Sequence, residues 1–124
     1  MSLCLLAGAA SATLAIEAFT LAWTHSIEKV RWEEDWQING QTLAITEARI
    51  HGTGAGMEPP PDAVLRNGIW HYRPTLPAQT SLRLRHSPYV AGYEICSASR
   101  CTPLADSLPG IENNTLIELR PCPP

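Results

Sequence analysis

Polar and apolar side chains alternate with a period of two in several short stretches of the chain, the signature of strands with one buried face. Over residues 17–26, Phe19, Leu21 and Trp23 share one parity while Ala18, Thr20, Ala22 and Thr24 share the other, and His25 falls next on the apolar side. Residues 81–86 repeat the arrangement: Leu82 and Leu84 point one way, Arg83 and Arg85 the other, and His86 continues the leucine face. Each histidine is followed by a serine, Ser26 and Ser87. Six-residue echoes of this kind arise readily in β-proteins, so they are read as similar local geometry and not as a repeat. Further strands are expected at 34–38, 41–50, 68–72, 93–96 and 115–119. Asn39-Gly40 between two of them predicts a tight hairpin, because both residues tolerate the positive φ of a type I′ turn. The run 52–61, with Gly52, Gly54, Gly56 and three closing prolines, is expected to be an irregular loop or flap with a stiff, extended exit. Seven short strands punctuated by turns predict an all-β chain forming a single small β-sandwich or barrel-like domain.

Composition agrees with short strands. Eleven prolines and eight glycines, against 17% charged residues in a chain of 124, suit strands and turns better than long helices, and the length is that of one domain. The net charge of −3 arises entirely beyond residue 12, since the first charged side chain is Glu17. Nothing resembles the clustered basic face of a nucleic-acid-binding protein. Residues 1–15 form an apolar run that includes Ala10-Ser11-Ala12, a small-x-small pattern that fits signal-peptidase cleavage. Residues 1–12 are therefore expected to be a secretory leader, with a buried first strand as the alternative, and 13–124 to be the β domain. The run is shorter than the roughly 20 residues of a membrane-spanning helix. In the oxidising compartment that export implies, Cys96 and Cys101 are the expected disulfide pair. Cys122 is then left as a free thiol or an alternative partner.

The densest polar stretch lies at 24–36, where His25 and Ser26 stand near Glu28, Lys29, Glu33, Glu34 and Asp35, with Trp32 and Trp36 between them. A catalytic reading makes Ser26 a nucleophile, a histidine its base and a carboxylate the orienting group. Adjacent His25 and Ser26 would point to opposite faces of a strand, so Ser26 would need His86 from elsewhere, and no nucleophile elbow accompanies the pair. A metal reading gathers His25, His86 and one of Glu28, Glu33 or Glu34. In the simpler reading each histidine closes the apolar face of its strand, and the acidic run is a solvated turn. On this balance no enzyme, cofactor or metal is expected. The glycines at 52, 54 and 56 lack the Lys-Ser/Thr of a phosphate-binding loop.

The stretch Phe19 to Lys29 containing Trp23, His25, Ser26 and Glu28, then Trp32, Glu33 and Glu34, the loop with Gly54 and Gly56, Trp70, and Leu84 to Ser87 with His86 resembles a family of small exported bacterial proteins encoded beside TAXI-type TRAP transporters. The resemblance implies an accessory extracytoplasmic component of a solute importer, periplasmic and brought near the membrane by the permease. It would act by docking on the substrate-binding protein or the permease. The expected contact residues are Trp23, His25, Ser26, Glu28, Lys29, Trp32, Glu33, Glu34, Gly54, Gly56, His86 and Ser87. Trp32 and Trp36 would be anchors, and Glu28, Glu33 and Glu34 steering charges. The alternative is a periplasmic enzyme or a metal- or ligand-binding domain using His25, Ser26, Glu28 and His86.

Overall fold

A computed structural model describes residues 1–24, 29–52, 59–86 and 92–124. Among them are eleven strands: β1 (Ser2–Ala7), β2 (Ala10–Leu14), β3 (Ala18–Thr24), β4 (Arg31–Asn39), β5 (Thr42–His51), β6 (Val64–Arg66), β7 (Ile69–Tyr72), β8 (Leu82–Arg85), β9 (Glu94–Ser97), β10 (Arg100–Pro103) and β11 (Leu116–Cys122). They form two antiparallel sheets, a smaller one ordered β2-β1-β11-β8 and a larger one ordered β10-β9-β3-β4-β5-β7-β6. One 3-10 turn, Leu104–Ser107, follows β10. The expected all-β class is the class observed, with two packed sheets as in a small sandwich.

Period-two alternation decides which side chains enter the core. Phe19 and Leu21 from β3, Trp36 and Ile38 from β4, Leu43 from β5 and Ile95 from β9 meet Leu3 and Leu5 from β1 and Ile117 and Leu119 from β11. Leu104 and Leu108, on and just after the 3-10 turn, plug the same core. All seven expected strands are present with shifted ends, while β2, β6 and β10 were not expected as strands and β1 only as the alternative to a leader.

Residues 1–12, expected to be a leader apart from the domain, supply β1 and the start of β2. β1 pairs with β2 on one side and β11 on the other, and Leu3 and Leu5 are fully buried. An apolar leader and an interior strand carry the same compositional signal. Cys4 accordingly reaches Cys122, which was expected to be unpaired or an alternative partner, in a disulfide of 2.04 Å spanning 118 residues of sequence. Cys96 and Cys101 form the expected second disulfide, opposite one another across the β9–β10 hairpin.

The β4–β5 hairpin is also present, but its turn is one residue later than expected. Asn39 pairs with Thr42, whose hydroxyl donates to the Asn39 carbonyl at 3.0 Å. Gly40 and Gln41 therefore make the turn, with a positive φ of 62° at Gly40, the arrangement of a type II′ turn rather than type I′.

Candidate functional site

β4 divides the acidic aromatic segment between two environments. Arg31, Glu33 and Asp35 face outward from the larger sheet, and Trp32, Glu34 and Trp36 face inward. Trp36 is only 3% exposed, so the expectation that it anchors a partner is corrected: strand alternation commits it to the core. Trp32 also points inward and stacks on Trp23, with ring centroids 6.1 Å apart.

On the outer face, strand pairing sets Glu33 beside Arg49 and Asp35 beside Glu47. Arg49 donates to both oxygens of Asp35 at 2.6 Å, to Glu33 at 2.9 Å and to Glu47 at 2.7 Å. Such a two-pronged guanidinium–carboxylate contact is strong and geometrically specific. Glu33 also hydrogen-bonds His51 Nε2 at 2.8 Å and accepts from Arg31 at 3.0 Å. Arg31 continues to Glu94 at 2.6 Å, and its Nη2 lies 3.8 and 3.7 Å from the sulfurs of Cys96 and Cys101. Thr20 donates to Asp35 at 2.7 Å, and His71 approaches Glu47 at 3.3 Å. The ladder thus crosses five strands, from β9 to β7.

The charges hold one another in their ionised forms. Burial pushes the Glu33 carboxyl up, but hydrogen bonds from His51, Arg49 and Arg31 outweigh it and bring the group down to about 2. The Arg49 hydrogen bonds keep Asp35 below its ordinary range, and those to Asp35 in turn raise Arg49. Hydrogen bonding to Glu94 raises Arg31.

The inner face has different chemistry. Strand register lines up Trp23, Trp32, Ile50, Trp70 and Leu65 in one row across the sheet, with Leu21, Glu34, Ala48 and Tyr72 in the next. Glu34 is the one charged side chain on the inner faces of β3, β4 and β5. Its hydrogen bond among the described residues comes from Trp36 Nε1 at 3.2 Å. Burial raises the Glu34 carboxyl, against that hydrogen bond. Burial, and then the Glu34 charge, also raise Tyr72 and Tyr93. The buried indole N–H of Trp70 has no acceptor among the described residues. Beside these rows opens a cavity of about 430 Å³ lined by Trp23, Thr24, His86, Tyr93, Leu104 and Ile117, among others.

Of the residues singled out from sequence, Trp23 and His86 are brought together in that cavity, Glu33 joins the outer ladder, and Glu34 lies on the inner face. Lys29 is exposed with a left-handed φ of 58°. His25, Ser26, Glu28, Gly54, Gly56 and Ser87 lie outside the described residues, and with them the pairing of Ser26 or His25 with His86. Among the described residues no group of three His, Cys, Asp or Glu side chains is arranged to hold a metal ion. Sequence reasoning missed Arg31, Glu47, Arg49, His51, His71 and Glu94. For Glu47, Arg49 and His51 the signal was a change of phase in β5: Leu43 and Ile45 share one parity and Ala48 and Ile50 the other, because a bulge interrupts the register opposite Asp35 and Trp36.

The fold and its two faces define a small antiparallel β-domain with a charged outer sheet and an aromatic hollow inside. Residues 19–104 match the family described as a domain of unknown function, DUF1850, and the chain belongs to that family. The match runs from within β3 to the start of the 3-10 turn and so contains nearly all of the larger sheet. No curated protein and no solved structure matches the chain.

Proposed function

We propose that this chain is an accessory extracytoplasmic component of a TAXI-type TRAP importer that acts by docking on the substrate-binding protein or the permease. The observation that carries the reading is the ladder of Glu33, Asp35, Glu47 and Glu94 with Arg31 and Arg49 on the open face of the larger sheet. Charges fixed by mutual hydrogen bonds present a constant pattern to a partner, and complementary patterns speed encounter and set orientation. The docking face is then the outward parity of β4 and β5, with Glu33 at its centre, in place of the inward Trp32, Glu34 and Trp36. Exposed Val64 at the sheet edge, paired with outward-facing His71, adds apolar contact beside it. Two disulfides fit an oxidising compartment outside the cytoplasm.

Affinity capture of the tagged chain from membranes, with solute uptake measured in a deletion strain, tests the proposal. Co-purification of a transporter subunit, lost with Glu47→Lys, together with impaired uptake, is the expected result. Unimpaired uptake with no transporter subunit recovered would reject it.

A further inference from the structure

We infer that the Cys96–Cys101 disulfide is a thiol–disulfide exchange site, opened by a dithiol reductant that attacks the Cys101 sulfur and expels Cys96 beside the Arg31 guanidinium. The inference does not rest on the docking reading. Arg31 divides its donors: Nε goes to Glu33 and Nη1 to Glu94, while Nη2 lies 3.8 Å from the Cys96 sulfur and 3.7 Å from that of Cys101. The two carboxylates thus leave one arm of the fork on the sulfurs. A cation there favours a thiolate over a disulfide, and a better-stabilised leaving thiolate departs faster.

Access favours the same bond. β10 ends the larger sheet, whereas β1 and β11 are interior strands of the smaller one. Cys101 is exposed and Cys96 partly covered, so the side of Cys101 away from Cys96 opens to solvent and admits a nucleophile. At the other disulfide the Cys4 sulfur meets the Thr13 hydroxyl at 3.7 Å. Arg120, opposite Cys4 on β11, turns its Nη1 to Glu118 at 3.6 Å, and no guanidinium touches either sulfur among the described residues. The β9–β10 turn differs as well. Ala98 and Ser99 hold left-handed φ values of 52° and 64°, a conformation that suits Asn-Gly and strains residues with a β-carbon. Cys96 and Cys101 clamp this turn from directly opposed positions, and breaking their bond lets it relax.

The exchange balances in two steps. A thiolate of the reductant bonds to Cys101 Sγ as the Cys96–Cys101 bond breaks, and the electron pair leaves on Cys96 Sγ. The reductant's second thiolate then attacks its own sulfur in the mixed disulfide and releases the Cys101 thiolate. The reductant is oxidised to a disulfide, the chain gains two electrons, and the two thiol protons pass through water to the two cysteines.

The test treats the full oxidised chain with dithiothreitol under native conditions, traps thiols with iodoacetamide and assigns each cysteine by mass spectrometry. Cys96–Cys101 is expected to open while Cys4–Cys122 stays closed, and the monothiol glutathione to be caught on Cys101. Arg31→Gln, shown to be folded by circular dichroism, should slow opening by about tenfold, and Arg31→Lys should retain part of the rate; loosening of the strands alone would speed it. In the chain reduced at this pair, iodoacetamide at neutral pH should alkylate Cys96 and Cys101 faster than in the same chain unfolded in urea. Equal opening of both disulfides, glutathione caught on Cys96, an unchanged or faster rate in folded Arg31→Gln, or alkylation no faster than in the unfolded chain would each overturn the proposal.

Discussion

Cys4 and Cys122 join the first and last strands of the domain, 118 residues apart, by a disulfide between neighbouring strands of the smaller sheet. Both strands belong to the sheet that brings Leu3, Leu5, Ile117 and Leu119 to the core. Closing so long a loop restricts the unfolded chain far more than closing the five-residue separation of Cys96 and Cys101. Replacing Cys4 and Cys122 by serine is expected to lower stability by up to about 5 kcal/mol, and replacing Cys96 and Cys101 by about 2 kcal/mol at most. Urea midpoints of the two double variants decide it; equal losses would contradict the ranking.

Leu5 is fully buried in β1. Leu5→Ala is expected to cost about 2–5 kcal/mol, the range for a truncated core leucine. A residue in a detached leader would change nothing, so thermal melting of this one variant separates the two placements of residues 1–12.

Arg49 holds Glu33, Asp35 and Glu47 together. Arg49→Met leaves three carboxylates crowded on adjacent strands, with an expected loss of about 2–4 kcal/mol. Adding Asp35→Asn should recover part of that loss, because it removes one of the repelling charges. A double-mutant cycle measures the coupling.

The pH dependence follows from opposite shifts on neighbouring residues. Glu33 falls from 4.5 to about 2 in the folded chain. Its contribution is therefore complete above its unfolded value and is lost as pH falls from 4.5 towards 2. Glu33→Gln should lower stability at neutral pH and flatten that acid limb in urea titrations.

Glu34 is raised instead, so the fold favours its protonated form, and the stability it contributes in acid is lost as pH rises through its folded value. Glu34→Gln should stabilise the chain at neutral pH, with little effect in acid. A variant that is less stable at neutral pH would show that the carboxylate has a structural partner.

The all-β class, most strand positions, the β4–β5 hairpin and the Cys96–Cys101 disulfide were determined by sequence alone, because each rests on local chemistry: side-chain parity, turn residues and short loop closure. Residues 1–12 were ambiguous, since hydrophobicity is the same whether a segment leaves the domain or fills its centre. The outer ladder was hidden for a related reason. Arg49 meets Glu33 and Asp35 only through pairing across β4 and β5, and the bulge in β5 decides which parity turns outward. Tertiary structure also separated Glu33 from Glu34, adjacent in sequence: successive side chains of a strand face opposite ways, so one carboxylate lies among arginines and the other among aromatic rings.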